Sequence, residues 1–525
     1  MPVMTGFVKH SLEQLLAELP LDIAAPASNP MISGIAFDSR QVQPGNLFVA
    51  LSGGSTDGHR YISDAIALGA AAVVGSQAGI VCDVPYIQVS DTRLALAHLA
   101  AAFYSFPARQ LTMIGVTGTD GKTTTANLIY QILLSAGYRT GIISTVNATI
   151  GNDVLDTGLH VTTPEAPEVQ RYLARMLDAG LTHVVLEATS HGLAQQRVTA
   201  CEFDVGVVTN ITHEHLDYHG SYEAYRAAKG SLFSSLAQTG AKRQGNPRTA
   251  VLNQDDGSFD YLRQVSPPYQ IAYSIQPGAT LWASEIQDTP AGLRFIINGP
   301  DFSFPVQSRL AGHFNVSNIL AAVGATVKAL GVPGDAAQKG IAAMTGVPGR
   351  MERIDLGQNF NAIVDFAHTP NALRQVLVTV RQMTQGRVIA VFGSAGLRDR
   401  QKRRMMAEVS TELADISLLT AEDPRTEALD AILAEMALGA ESKGGVEGET
   451  FWKVPDRGEA LRLAVKMARA GDVVITCGKG HEQSMCFGEE EYPWDDRVAL
   501  RAALAELTGA SGPLMPYLPT QSDGV

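Results

Sequence analysis

One short stretch of this chain has the residue types needed to hold a triphosphate. The apolar run LTMIGVT (111–117) passes directly into Gly118, Thr119, Asp120, Gly121, Lys122, Thr123 and Thr124, and then into a helical pattern. Glycines at such a turn let backbone N–H groups converge on phosphate oxygens, and the N-terminal end of the following helix adds partial positive charge. Lys122 supplies a mobile cation for the β- and γ-phosphates, and Thr123 a hydroxyl for Mg²⁺. The full GxxxxGK[ST] pattern is not met, because its first glycine would fall on Val116. The loop implies a bound nucleoside triphosphate and leaves kinase, GTPase, motor and ligase open.

Further along, Glu187 closes the apolar run THVVLEA (182–188). Parallel sheets bind ligands at the carboxyl ends of their strands, and a carboxylate there suits a hard cation such as Mg²⁺. His191, His213, His215 and His219 follow closely and raise the alternative of a zinc hydrolase. They lack the HExxH spacing of such sites, and zinc would leave the phosphate loop unexplained. Lys229 sits in the helical pattern YEAYRAAKGSLF (222–233), where a lone lysine is ordinarily a solvated one.

These residues need a scaffold, and 525 residues exceed what one hydrophobic core serves. Three blocks can be drawn. The first, to about residue 107, holds a turn-rich stretch feeding a strand over 46–51 and a helix over 61–68. From 111 onward apolar runs alternate with helical patterns, as in βαβ units on a parallel sheet. Residues 268–308 interrupt this with a strand-rich excursion, and helix returns at 315–330. A second strand–helix alternation begins near 346, through NAIVDFA, RVIAVFG, ADISLLT and DVVITC. The fold class is therefore α/β. The net charge of −13 argues against broad nucleic-acid or anionic-membrane binding, so any anionic ligand depends on local cations and backbone N–H groups. Four cysteines without CxxC spacing read as free thiols in a reducing compartment. The amino terminus lacks a signal-peptide pattern and no apolar run approaches ~18 residues. A cytoplasmic protein is expected.

Several segments together carry a family resemblance. TGTDGKT (117–123) resembles the TGTNGKT loop of Mur ligases, with Asp120 for the usual Asn. LEATSHGLAQQRV (186–198), the 209–233 stretch TNITHEHLDYHGSYEAYRAAKGSLF, GHFNVSNILAA (312–322), GVPGRMER (346–353) and VDFAHTPNAL (364–373) follow in the family's order. AEDPRTE (421–427) and CGKGHE (477–482) are similar to the branch that joins a diamino acid to UDP-N-acetylmuramoyl-L-alanyl-D-glutamate. The resemblance spans about residues 33–508. It implies a UDP-substrate domain (1–108), a central P-loop-type ATPase domain (109–346) and a C-terminal Rossmann-like amino-acid domain (347–525).

The resemblance also implies roles. Glu187 and His215 belong with the metal, Glu214 standing where Asp is usual, and Lys229 is N-carboxylated by CO₂ to an anion that bridges to a second Mg²⁺. Asn318 contacts the adenine edge, while Arg350 and Asp365 clasp ATP from the third domain. Ser39 with Gly54, Ser55 and Thr56 match uridine and diphosphate contacts. Thr162, Thr163, Ser190, Gln195 and Arg197 match contacts to the muramoyl-dipeptide, and Val161 replaces a frequent Asn. Arg398, Glu422, Asp423, Pro424, Arg425, Gly478 and Glu482 match the amino-acid site. Arg425 suits the extra carboxylate of meso-diaminopimelate. Asp423, replacing Asn, either favours the cationic end of lysine or ornithine or neutralises Arg425. The expected partners are these small molecules, with no nucleic acid and no membrane insertion, acting on a monomer. Folylpolyglutamate synthetases share the chemistry but would not need DSR, AEDPRTE or CGKGHE. A P-loop kinase or GTPase would carry an NKxD-type loop, which is absent from the sequence.

Overall fold

A computed structural model describes residues 9–521 except 22, 53–55, 146–147, 152, 156–162, 213 and 290–291. Three main sheets follow one another along the chain. The first has four parallel strands in sequence order, Gly34–Ala36, Asn46–Val49, Ala72–Gly75 and Tyr86–Gln88. The helix expected over 61–68 is shorter, Ile62–Ala67, because Asp57 caps a tight 3₁₀ turn, Gly58–Tyr61, just before it.

The second sheet has eleven strands, with the phosphate-loop strand Thr112–Thr117 between His183–Glu187 and Val205–Val208. Strands from Thr140–Ile143 across to Leu281–Thr289 run parallel. Every residue of Thr112–Thr117 is buried, as expected for a strand covered on both faces. Ile114 and Val116 pack under the helices Lys122–Ser135 and Phe314–Val323, while Met113 faces Leu173 and Leu232 on the other side. The strand-rich excursion continues this same sheet. Without crossover helices, Gly292–Asn298 and Ser303–Ser308 add on antiparallel after Leu281–Thr289.

The third sheet has six strands in the order Glu352–Ile354, Asn361–Asp365, Val473–Cys477, Val388–Phe392, Ile416–Leu419 and Phe451–Lys453, parallel except for the first. Its carboxyl edge releases the loops at 366–369, 393–398, 420–427 and 478–482. Two of these start from a common anchor. Buried Arg457 pairs with Asp496 at 2.6 Å, donating also to the carbonyls of Ala421 at 3.1 Å and Cys477 at 2.7 Å. Among the described residues no helix is long and apolar enough to cross a membrane.

Glu427 ties the 420–427 loop to its neighbour. Its carboxylate accepts from Arg403 at 2.6 and 2.8 Å and from the Leu397 N–H at 3.0 Å. The hydrogen bonds from Arg403, then that from Leu397, pull its pKa from 4.5 down to about 2. A depressed carboxylate pKa gives stability that is complete above the unfolded value and drains away as pH falls through the folded one. Glu427→Gln is expected to lower Tm by a few degrees at neutral pH. Calorimetry against pH should show that gap holding down to about pH 5 and closing towards about pH 2.

Candidate functional site

The phosphate loop is held in a shape only glycine permits at two points. Gly118 has φ 149° and Gly121 φ 81°, and a Cβ would collide with Thr209 Oγ1 at the first and Asn318 Oδ1 at the second. The neighbouring strand end fixes the loop from the side. Asn210 accepts from the N–H groups of Thr119 (2.7 Å) and Asp120 (3.0 Å), and Thr209 Oγ1 donates to the Asp120 carbonyl at 2.6 Å. Lys122 opens the helix and its Nζ donates to the Thr119 carbonyl at 2.8 Å.

Glu187 lies fully buried beside this loop. It accepts from Thr123 Oγ1 at 3.0 Å and from the Thr145 N–H and Oγ1 at 3.1 and 3.0 Å. Burial raises its pKa, with Lys122 opposing. The solvated-lysine reading of Lys229 does not hold: the side chain is buried. Its Nζ donates to the Gly118 carbonyl at 2.6 Å and lies 4.6 Å from the Tyr225 ring centroid. Burial first, then the charge of Lys122, hold its pKa well below the ordinary lysine value.

His215 precedes the short helix Leu216–His219, and burial lowers its pKa to about 4, leaving a neutral imidazole with a lone pair to give. Glu214 reaches His215 at 3.7 Å and His368 Nε2 at 3.2 Å. Burial alone would raise the pKa of Glu214, but His215 and His368 outweigh it and hold it well below the usual range.

Two cavities open on either side of these groups. One, of about 280 Å³, lies between the second and third sheets, walled by Gly121, Thr124, Asn318, Arg350 and Asp365. Asp365 is fixed by the N–H groups of Met351 and Ala367, each at 2.7 Å. The Arg350 guanidinium stacks 4.3 Å over the Phe366 ring. Asn318 lines the cavity, but its amide donates to Asn315 at 2.9 Å and accepts from Thr125 at 3.4 Å, bracing the loop behind Gly121. Asp120 accepts from Asn371 across the gap at 3.2 Å.

The second cavity, of about 360 Å³, gathers Arg398, Glu422, Asp423, Arg425, Gly478 and Glu482 with Glu214, His215 and His368. Pro424 is absent from this wall; its carbonyl packs where a Cβ on Gly396 would sit. The pairing of Asp423 with Arg425, one of two options left by the sequence, is replaced by another. Both Asp423 oxygens accept from Lys479 Nζ, at 2.9 and 3.0 Å. The helix after this motif begins at Leu429.

Thr163, Ser190, Gln195 and Arg197 form a third group. Thr163 Oγ1 donates to the Glu187 carbonyl at 2.9 Å, and Arg197 donates to the Thr163 carbonyl at 2.8 Å and to Gln195. Buried Ser190 Oγ has no partner among the described residues. Ser39 opens the 3₁₀ turn Ser39–Gln41, and neither it nor Thr56 lines either cavity. Gly54, Ser55 and Thr162 lie outside the described residues. Thr145, Asn371, His368, Lys402 and Lys479 were missed as site residues. His368 and Asn371 stand in the same segment as Asp365, and Lys479 within CGKGHE, so proximity to a chosen motif was their signal. Thr145 offered none.

A buried phosphate loop facing a carboxylate, and a charged amine-and-carboxylate pocket beside it, define an ATP-dependent amide-bond-forming ligase. The chain belongs to the Mur ligase family. Three family profiles match it in order: "Mur ligase family, catalytic domain" at residues 31–104, "Mur ligase middle domain" at 116–326 and "Mur ligase, glutamate ligase domain" at 349–480. It is similar to the UDP-N-acetylmuramyl-tripeptide synthetase of Roseiflexus sp. (strain RS-1), 44% identical over 505 residues, covering 94% of this chain and 99% of that protein. It is also 42% identical, with 94% and 99% covered, to the UDP-N-acetylmuramoyl-L-alanyl-D-glutamate--2,6-diaminopimelate ligase of Geobacillus kaustophilus (strain HTA426). A solved structure of a ligase with that second name superposes with TM-score 0.64 at 31% identity, covering 95% of this chain and 100% of that one.

Lys122→Ala is expected to cut ATP-dependent phosphate release by several hundredfold or more, since stabilising a transferring phosphoryl group is worth roughly 3–4 kcal/mol. An unchanged circular dichroism spectrum and Tm should accompany that loss.

Proposed function

We propose that this chain joins a diamino acid, 2,6-diaminopimelate ahead of lysine or ornithine, to UDP-N-acetylmuramoyl-L-alanyl-D-glutamate with conversion of ATP to ADP and phosphate. The product is a peptidoglycan precursor. The observation that carries this reading is the junction of the two cavities: Thr212 and Asn371 line both. A phosphoryl group on the nucleotide side and an amine on the other side can therefore reach one carboxylate.

The reaction needs that proximity. A carboxylate resists amines because oxide is a poor leaving group. The substrate carboxylate attacks the γ-phosphorus, ADP departs, and the acyl phosphate then loses phosphate to the incoming amine. In this chain the loop N–H groups and Lys122 hold the phosphates, while Arg350 and Asp365 approach from the third sheet so that closure completes the site. Arg197, Gln195, Thr163 and Ser190 would orient the muramoyl-dipeptide, and Ser39 with the 54–56 turn the uridine diphosphate. Arg398, Arg425, Glu422 and Glu482 would receive the amino acid. The proposed domain limits are 1–108, 109–346 and 347–525, with the chain acting as a cytoplasmic monomer.

The Thr123 hydroxyl and the Glu187 carboxylate, 3.0 Å apart beside the loop, are hard oxygen donors that fit Mg²⁺, and His215 would add an imidazole from the second cavity. Bound there, Mg²⁺ would neutralise the crowded oxyanions. Lys229 can join the metal only as a carbamate, since its amine is a donor, to the Gly118 carbonyl. CO₂ adds to an uncharged amine, forming an N–C bond and releasing a proton, and burial favours that uncharged form.

Lys229→Ala is accordingly expected to be nearly inactive, with partial rescue by formate or acetate. An unmodified Lys229 in a diffraction structure of the active, metal-loaded enzyme would overturn this. For the whole proposal, phosphate release is measured with UDP-muramoyl-dipeptide and each of three amino acids. Diaminopimelate should exceed lysine and ornithine in kcat/KM by more than about tenfold, as a buried charge pair discriminates. Preference for lysine or ornithine would contradict the assignment of Arg425.

A further inference from the structure

The sequence places three ionisable side chains in CGKGHE and AEDPRTE whose joint geometry only the fold reveals. Lys479 is completely buried, yet its ammonium lies 2.9 Å from Asp423 and 2.6 Å from Glu482. Burial works against that charge, and Glu482 and Asp423 outweigh it, raising the pKa above its usual value. Asp423 also accepts from the Cys486 N–H at 2.9 Å, and the Arg425 N–H donates to the Cys486 carbonyl at 3.1 Å. The 420–427 loop and the 478–482 turn are thus joined both by Lys479 and by Arg457 on the Ala421 and Cys477 carbonyls, and the hairpin beyond is tied to the loop at Cys486.

We propose that Lys479 is a positioning residue of the amino-acid cavity, its buried ammonium bridging Asp423 and Glu482 so that the Glu482 carboxylate is aimed at the distal amine of the incoming diamino acid. This rests on the amino-acid reading of that cavity. Lys479 carries one positive charge against two carboxylates, so a net negative charge remains on this wall, which suits an ammonium. Arg398 and Arg425 line the same cavity and suit a carboxylate. With Asp423 held by Lys479, the carboxylate partner Arg425 is not spent on it.

The test measures KM for diaminopimelate and for ATP, kcat, and Tm in Lys479→Met, Lys479→Arg and Asp423→Asn/Lys479→Met, with Arg425→Ala as reference. Lys479→Met should raise KM for the amino acid at least about tenfold while KM for ATP moves less than about twofold, because breaking one partner of a buried charge pair acts locally. Lys479→Arg should recover part of the loss. The double variant should be less impaired than independent effects would give, since removing both charges spares an unpaired carboxylate. Equal rises in both KM values, an unchanged amino-acid KM or no recovery with arginine would overturn the proposal. Should Lys479→Met fail to fold, the arginine and double variants carry the same comparison. If Arg425→Ala also leaves the amino-acid KM unchanged, the cavity assignment itself fails and this proposal with it. If Arg425→Ala raises that KM and the Lys479 variants do not, only the role of Lys479 fails.

Discussion

Parallel strands deliver all their following loops to one edge, because the hydrogen-bond pattern fixes strand direction and crossover helices return the chain to the far side. Here two parallel sheets end at the same gap. From the second sheet come the phosphate loop after Thr117, Glu187, and the 209–215 segment after Val208. From the third come Phe366, Arg398, Glu422 to Arg425, and Gly478 to Glu482. Joining two substrates at the expense of a third requires three anionic or zwitterionic molecules to converge. A single sheet edge could not surround all three, and the facing edges form two cavities with a shared wall.

Charge is the second constraint. A chain of net charge −13 must hold a triphosphate and carboxylates. It does so with local cations and backbone N–H groups, and its lysines near the site differ in their surroundings. Lys122 remains on the loop and can follow phosphate oxygens. Lys229 is placed in a dry site beside Lys122, where the ammonium form is disfavoured. Lys479 is equally dry but lies between two carboxylates, and its charge is retained. Lys229 and Lys479, of the same intrinsic chemistry, are thereby given opposite protonation tendencies by burial and neighbours.

The α/β class and the strand–loop–helix order around Lys122 were legible because each depends on contiguous residues. So was the clustering of Arg398, Glu422, Asp423, Arg425, Gly478 and Glu482, through motif resemblance. What escaped lies in pairings across long separations. Asp423 and Lys479 are 56 residues apart, and nothing in local pattern says that Asp423 would choose Lys479 over the nearby Arg425. Arg457 reads as a helix arginine until the fold buries it against two strand ends. Asn318, expected at the adenine edge, lines the nucleotide-side cavity, and its contacts to Asn315 and Thr125 were not readable from local pattern. The buried state of Lys229 was overlooked for another reason: Tyr225, Leu232, Phe233 and Leu236 recur at helical spacing on its face, but a lysine type argues for solvent.

The central claim is that the substrate carboxylate is phosphorylated before the amine attacks. Substrate labelled with ¹⁸O in the D-glutamate side-chain carboxylate, turned over with ATP and diaminopimelate, tests it directly by mass analysis of the released phosphate. An acyl phosphate requires one labelled oxygen to pass from the carboxylate into each phosphate. Phosphate free of label, with one labelled oxygen kept in the product amide and the other lost to water, would contradict the account.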